Sequence, residues 1–270
     1  MNELEAIILG IVQGLTEFLP VSSSGHLAIG KELLGIEASE DLTFEIVVHA
    51  ATVLSTIVVF RKQIWNLLKG FFRFKNNDEM DYVLKIGVSM IPIFIVGVFF
   101  KDQVEALFGS ITGVGIALCI TALLLFFSDL ASMPKLQNRL AQKTPARNGI
   151  SWWQAFVVGI GQAFAVAPGL SRSGTTISTG LIIGVKRDVM AQFSFLMVLI
   201  PILGEAFLEM VGGEMAASSV GALPLALGFL SAFVSGLFAC KVMIALVKKA
   251  RLSWFALYCL LAAILIFIFA

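Results

Sequence analysis

The stretch from Pro168 to Ser178, PGLSRSGTTIS, places hydroxyls, glycines and one arginine inside a chain that is otherwise apolar. The 270 residues are 58% hydrophobic and 14% charged, with a mean hydropathy of +0.94, whereas soluble domains are about 25% charged. This composition indicates a polytopic membrane protein. Because lipid cannot satisfy polar groups, the stretch predicts a break in a membrane helix at which a function resides.

Segments that cross a membrane need about 20 apolar residues, and six regions meet this length. They are residues 42–60, 83–100, 110–128, 189–211, 220–247 and 253–270. Two other apolar regions, residues 4–34 and 152–185, are interrupted by EFLPVSSSGH and PGLSRSGTT. Each interruption leaves pieces of about ten to fourteen residues, which suit re-entrant half-helices. We therefore expect an all-α polytopic membrane protein with six spanning helices and two re-entrant helical hairpins.

The two interrupted regions resemble each other at a constant offset of 149 residues. The identical pairs include Ala6 and Ala155, Gly10 and Gly159, Gln13 and Gln162, Ser22 and Ser171, and Ser24 and Ser173. This similarity predicts one membrane domain, residues 1–270, made of two repeats, residues 1–128 and 150–270, each with one hairpin and three spans. Because three crossings separate the starts of the repeats, the second repeat is expected to be inverted relative to the first.

The basic residues are distributed unevenly between the loops. If the first hairpin enters from outside, 15 of the 19 Lys and Arg residues fall in inside segments, against Lys31 and Lys101 in outside segments. This positive-inside bias fixes the orientation. The net charge of +1 and the lack of a basic cluster with interleaved aromatics exclude nucleic acid as a partner. Membrane lipids are therefore the expected surroundings.

Arg172 lies at the tip of the second hairpin among small polar residues. A guanidinium at membrane depth marks function by default, and its planar fork suits phosphate. Glycines let the backbone approach a ligand, and hydroxyls with N–H groups at a helix start form an anion site. The residues concerned are Gly169, Ser171, Ser173, Gly174 and Thr176. The alternative is a helix break capped by its own hydroxyls, with Arg172 paired to a buried carboxylate.

The first hairpin carries candidate reactive groups in QGLTEFLPVSSSGH. Gln13 and Glu17 are four residues apart and share a helix face. The residues after Pro20 supply nucleophile, base and further substrate-binding candidates, namely Ser22, Ser23, Ser24 and His26. A carboxylate, a hydroxyl and an imidazole that face an arginine site favour phosphoryl transfer. Alternatively, Glu17 and Arg172 form a structural ion pair between the hairpins, which does not exclude catalysis.

Two further pairs of titratable residues lie near the outer ends of predicted spans. Glu45 and His49 stand four residues apart, and they either hydrogen-bond each other or line the site. Glu205 and Glu209 are expected at the membrane interface rather than in the site. Only Glu45 and His49 are therefore kept as candidate lining residues.

The motifs QGLTEFLPVSSSGH and PGLSRSGTTIS resemble the two signature motifs of the undecaprenyl-pyrophosphate phosphatase family, the bacitracin-resistance proteins of bacterial membranes. The resemblance extends over essentially the whole chain in length and segment order. It implies a protein of the bacterial cell membrane that removes the terminal phosphate of undecaprenyl pyrophosphate, which regenerates the lipid carrier for peptidoglycan. It also implies a fold of interlocked inverted repeats with re-entrant helices, in agreement with the expected topology.

The resemblance also implies roles for single residues. Glu17 is essential, and Ser23 and His26 are the nucleophile and base candidates. The residues that bind the pyrophosphate are Ser171, Arg172, Ser173 and Thr176. Family members depend on a divalent cation, usually Mg²⁺ or Ca²⁺, and an ion between Glu17 and the diphosphate would offset its charge.

Two positions depart from the pattern of other family members. Gln13 is the uncharged variant of a position that is Glu or Gln in the family, which weakens the case for a two-carboxylate metal site. Another member has Gln at the position of His49, so His49 is not expected to be the catalytic base.

The resulting hypothesis places the diphosphate between the hairpin tips and the prenyl tail along lipid-facing helices, in a site that opens outward. Arg172 holds the phosphates, Ser23 or His26 attacks the terminal phosphorus, and Glu17 orients or deprotonates the attacking group or holds the metal. The rival is a lipid-phosphate flippase or transporter, and more weakly a small-anion channel, that uses the same anion site. Hydrolysis is favoured because a carrier needs no nucleophile. A homodimer, the prenyl chain length and flipping of the monophosphate stay open.

Overall fold

The computed structural model describes residues 1–36, 42–100, 103, 110–133, 146–204 and 220–269. Within these ranges the chain is helical, with ten α-helices and no strand. The helices are α1 (Glu3–Thr16), α2 (Ser23–Leu34), α3 (Leu42–Phe71), α4 (Asp78–Phe99), α5 (Ile111–Ala131), α6 (Trp152–Phe164), α7 (Arg172–Ile182), α8 (Arg187–Met197), α9 (Ala222–Lys249) and α10 (Ser253–Phe269).

Five of the described helices are long and apolar enough to cross a membrane. They are Thr43–Phe71, Asp78–Phe99, Ile111–Ala131, Arg187–Gly204 and Ala222–Val247, and each overlaps a predicted span. The sixth predicted span is occupied by a shorter apolar helix, Ser253–Ile268. The protein is therefore a polytopic helical membrane protein. The end of the fourth predicted span, with Glu205 and Glu209, lies outside the described residues.

Helix α3 continues to Phe71, about three turns beyond the predicted end of the first span at residue 60. The extension is amphipathic, because Ile64 and Leu67 pack against the hydrophobic core while Arg61 and Lys62 are exposed. An apolar stripe on one face stabilises a helix even where the other face is charged. Hydropathy alone ends the predicted span at the first charged residues, so the predicted helix is shorter than α3.

Both interrupted regions form two helices with a break between them, as the sequence predicts. We call α1 and α2 the first helix pair, and residues 17–24, the break with the first two residues of α2, the first tip. Helices α6 and α7 are the second helix pair, and residues 165–173, the break with the first two residues of α7, are the second tip. The four helices have 14, 12, 13 and 11 residues, so each is shorter than a membrane span.

The second helix of each pair begins at a serine cap. Ser22 Oγ accepts a hydrogen bond from Gly25 N at 3.1 Å, and Ser171 Oγ accepts one from Gly174 N at 3.0 Å. Such caps satisfy N–H groups that the helix leaves unpaired. The serines that the sequence places at the breaks therefore start the helices that follow.

Close helix crossings position the two pairs. Helix α1 packs against α9 and helix α6 packs against α4. A Cβ atom on Gly14 would lie 2.5 Å from Ala232 O, and one on Gly159 would lie 2.8 Å from Ser89 Cα. Glycine at these points lets the two backbones touch. The first helix of each pair is thereby held against a spanning helix from the other half of the chain.

The two tips are joined directly by hydrogen bonds. Gly169 N donates to Ser24 Oγ at 3.2 Å, and Ser173 Oγ donates to Leu19 O at 3.2 Å. Gly169 has φ +84°, and a Cβ atom there would lie 2.8 Å from Val114 Cα. Both the backbone conformation and the space therefore require glycine at this position. These contacts bring the two interrupted motifs to one place in the fold.

Candidate functional site

Glu17 and Ser23 form a short hydrogen bond at the first tip. Glu17 follows the last residue of α1, and Ser23 is the first residue of α2. Ser23 Oγ donates to Glu17 Oε2 at 2.6 Å, and Gln13 Nε2 donates to the same oxygen at 2.8 Å. A hydroxyl bonded to a carboxylate in this way is arranged as a nucleophile with its base.

Arg172 faces Glu17 across a small cavity of about 20 Å³, which both residues line together with Ser173. Its guanidinium interacts electrostatically with Glu17. Among the described residues, its buried Nη1 has no hydrogen-bond partner. Arg172 is also the first residue of α7, and helix N-termini favour anions. The arrangement leaves a cationic donor free for an anionic ligand.

Other polar residues of the cavity wall were missed in the sequence. Thr52 and Thr56 on α3 and Ser194 on α8 line it, and Ser194 Oγ lies 2.6 Å from Thr176 Oγ1. The signal that could have found the threonines is their spacing, because residues 49, 52 and 56 share one face of an apolar helix. Thr176 itself is fully buried and bonds residues of the wall, among them Ser194 and, through its backbone oxygen, Arg172.

His49 lies beside Glu17, with 3.7 Å between His49 Nε2 and Glu17 Oε2. The other ring nitrogen, Nδ1, donates to Glu45 O at 2.8 Å. The Glu45 side chain forms an ion pair with Lys31 of α2. The structure thus brings His49 to the carboxylate and directs the Glu45 side chain away from it.

His26 does not contact Glu17 in the described structure. Its Nδ1 bonds Ser22 O at 2.7 Å, and its Nε2 bonds the Tyr258 hydroxyl at 2.6 Å. The two rings are also stacked, with centroids 5.6 Å apart. Both nitrogens of His26 are therefore engaged, whereas Ser23 is bonded to the carboxylate.

The family described as bacitracin resistance protein BacA matches residues 6–265 of the chain. The chain belongs to the bacitracin resistance protein family. Three relatives named undecaprenyl-diphosphatase illustrate the similarity. That of Parabacteroides distasonis is 56% identical over 268 residues, with 98% of this chain and 97% of the relative covered. That of Christiangramia forsetii is 49% identical over 273 residues, with 100% of this chain and 99% of the relative covered. That of Methanococcus vannielii is 38% identical over 263 residues, with 97% of this chain and 98% of the relative covered.

Most of the small polar residues predicted to bind substrate have structural hydrogen bonds in this member of the bacitracin resistance protein family. Ser22, Ser171 and Gly174 take part in the caps, and Ser24 and Gly169 join the two tips. Ser171 N donates to Thr121 Oγ1 at 3.2 Å. Their role in substrate binding stays a prediction of the sequence. Arg172 and Ser173 are the predicted residues of the second tip that line the cavity.

The donors near Glu17 suit a hard divalent cation that is shared with a substrate, as the family resemblance implies. Among the described residues, no group of three or more His, Cys, Asp or Glu side chains could hold a metal ion. Mg²⁺ is commonly held by one or two carboxylates together with substrate phosphates. Glu17 supplies such a carboxylate, and the buried Gln13 Oε1 beside it has no hydrogen-bond partner within the described part of the chain. The residues therefore fit a cation that binds with the diphosphate.

Proposed function

We propose that the protein is an integral-membrane phosphatase that hydrolyses undecaprenyl diphosphate to undecaprenyl phosphate and inorganic phosphate. The three relatives described above are named undecaprenyl-diphosphatase. The observation that carries the proposal is the Ser23–Glu17 hydrogen bond beside Arg172, whose buried Nη1 has no hydrogen-bond partner among the described residues. Recycling of the lipid carrier would supply cell-wall peptidoglycan synthesis and confer bacitracin resistance, in keeping with the family name.

In the proposed mechanism, Ser23 is the nucleophile. Its Oγ forms a bond to the terminal phosphorus, its proton passes to Glu17, and the bond from that phosphorus to the bridging oxygen breaks. Glu17 then gives the proton to the departing undecaprenyl phosphate. Water then attacks the phosphoserine and gives a proton to Glu17. The bond from phosphorus to Ser23 Oγ breaks, Glu17 returns the proton to Oγ, and phosphate leaves. Arg172 stabilises the charge of the phosphoryl oxygens throughout, as arginines do in other phosphoryl transfers.

A divalent cation, Mg²⁺ or Ca²⁺, is part of the proposal. Glu17 would hold the ion, which would neutralise charge on the diphosphate when bound. The residues of the chain bind and orient the diphosphate and transfer protons around the ion. A homodimer stays a prediction of the sequence.

We also propose that the chain contains two inverted repeats with re-entrant helix pairs. The crossing of α1 on α9 and that of α6 on α4 are equivalent at the offset of 149 residues. Gly10 and Gly159, which the offset relates, lie at these two crossings. The positive-inside bias supports a site that faces the outside of the bacterial cell membrane. Phosphate would then be released outside the cell.

The test is phosphate release from a long-chain prenyl diphosphate by the full chain in detergent with Mg²⁺ or Ca²⁺. Glu17→Gln and Ser23→Ala should each lower kcat by at least about 100-fold, because each removes a partner of the proton transfer. Glu3→Gln on the exposed start of α1 is the matched control and should leave turnover unchanged. Full turnover by Ser23→Ala would eliminate serine as the nucleophile.

The alternative is a lipid-phosphate flippase or transporter that uses Arg172 and the tips as a binding site only. None of the relatives described above is named a transporter. No phosphate release from the folded wild-type protein, with several metals and prenyl lipids, would favour the carrier. Release that depends on Glu17 and Ser23 would reject it as the sole activity.

A further inference from the structure

His49 presents one ring nitrogen toward the Glu17 carboxylate. Because a carbonyl oxygen can only accept, the hydrogen bond of 2.8 Å from His49 Nδ1 to Glu45 O places the ring proton on Nδ1. In the neutral ring, Nε2 then carries a lone pair directed at the side of Glu17. A ring N–H bonded to a backbone carbonyl is the usual outer partner of a metal-binding histidine.

The distance between the two groups fits a shared ion better than a hydrogen bond. His49 Nε2 and Glu17 Oε2 are 3.7 Å apart, beyond hydrogen-bonding range. Two donor atoms at about 2.1 Å from one ion stand roughly 3.0 to 3.6 Å apart. A shift of a few tenths of an ångström would therefore bring both donors to one cation.

Gln13 adds a third donor at the same place. Its Nε2 donates to Glu17 Oε2 at 2.8 Å, while its Oε1 is buried and has no partner in the described structure. A half-turn of the amide would release the carboxylate oxygen and present Oε1 instead. An unpartnered buried acceptor is costly, and a cation at this position would satisfy it.

We propose that His49 Nε2, together with Glu17 and Gln13 Oε1, binds the catalytic cation, so that this chain prefers a divalent transition-metal ion over Mg²⁺ or Ca²⁺. The inference rests on the proposed function, in which Glu17 holds the ion. Imidazole nitrogen binds first-row transition metals in preference to alkaline-earth ions, which take oxygen ligands. His49 thereby sets the choice of metal and does not act as the base.

The experiment is pulsed EPR of Mn²⁺ added to the full chain, purified in detergent with a tag that contains no histidine. The chain has two histidines, His26 and His49, so the origin of any directly coordinated imidazole can be assigned. Wild-type protein should show ¹⁴N coupling to Mn²⁺, His49→Gln should lose it, and His26→Gln should keep it. Mn²⁺ affinity should fall at least about tenfold in His49→Gln, since even outer-shell changes cost that much.

Three results would overturn the inference. They are Mn²⁺ bound without ¹⁴N coupling, ¹⁴N coupling that survives in His49→Gln, and no Mn²⁺ binding by the wild-type protein. Equal melting midpoints of the variants would establish that each is folded. Phosphate release, measured on the same preparations with Mg²⁺, separates the two proposals. Turnover without ¹⁴N coupling rejects only the proposal that His49 is a metal ligand. Absence of turnover in the wild-type protein rejects the proposed phosphatase function.

Discussion

The first and second tips are built by equivalent hydrogen bonds but carry different reactive groups. Ser22 and Ser24 Oγ lie 3.4 Å apart in the first tip, and Ser171 and Ser173 Oγ lie 3.5 Å apart in the second. At the offset of 149 residues, however, Glu17 corresponds to Val166, and Ser23 corresponds to Arg172. The structural positions match and the reactive positions do not.

This difference shows that two regions of similar sequence contribute different chemical groups to one site. The first tip supplies the carboxylate and the hydroxyl, and the second supplies the guanidinium. Neither tip contains both the proposed nucleophile and the cationic group that the proposed phosphoryl transfer requires. The site is therefore complete only where the two tips meet.

The largest expected effect comes from removing the charge of the second tip. Arg172→Ala should lower kcat/KM for phosphate release by about 1,000-fold, as loss of a transition-state arginine does elsewhere. Arg172→Lys should be intermediate, because an ammonium keeps the charge but not the fork. Arg61→Ala, on the exposed face of α3, is the control and should leave the rate unchanged. If Arg172→Ala retained a tenth of the activity, the assignment of the cationic group of the site to the second tip would be wrong.

A second comparison uses the two glutamines that the offset relates. Gln13 donates to Glu17, whereas both amide atoms of the fully buried Gln162 have no partner among the described residues. Gln13→Leu should lower kcat by about 10- to 100-fold, because it removes an amide that either donates to the charged Glu17 or, in the turned orientation, holds the ion beside it. Gln162→Leu should keep full activity and raise the free energy of unfolding by about 1 kcal/mol, since it removes buried unpaired groups.

Phosphate release and thermal unfolding in detergent would measure both glutamine variants. Equal activity losses in the two variants would mean that Gln162 has a role of its own. A drop in the melting midpoint of Gln162→Leu would mean that its amide has a partner that the described residues do not include.

The smallest expected effect separates the two serine caps. Ser22 has φ +71°, in the region that favours glycine, whereas Ser171 has φ −72°. Ser22→Gly should relieve about 1 kcal/mol of backbone strain, which exceeds the few tenths lost with the cap. Ser171→Gly should only destabilise, because the cap is lost and the unfolded chain gains freedom. Opposite shifts of the melting midpoint are expected, and shifts of the same sign would contradict the assignment of strain to the first tip.

The helix breaks could be predicted because their causes are local. Pro20 and Pro168, with the serines that follow, end one helix and start the next within a few residues. The spans were predictable from hydropathy for the same reason. Helix α3 exceeded its predicted length because its last turns depend on packing of Ile64 and Leu67 against the core, which no short window of sequence contains.

The contacts within the site could not be predicted, because they join distant parts of the chain. The motif places His26 three residues from Ser23, yet its ring is bonded to Tyr258, 232 residues away. His49 meets Glu17 only because α3 packs beside α1. Sequence patterns identified the residue types, and tertiary packing decided which of them touch.

The hydrogen bonds between the tips also constrain how the protein is made. They join residues 145 and 154 positions apart, and a ribosome adds roughly 5 to 20 residues per second. Leu19 O and Ser24 Oγ are therefore synthesised roughly 7 to 30 seconds before Gly169 and Ser173 exist. In the proposed re-entrant arrangement, lipid would offer these groups no partner, and the nascent first tip would stay in contact with water or with the insertion machinery. Its final burial would then be a late step of biogenesis, which the second half of the chain would trigger.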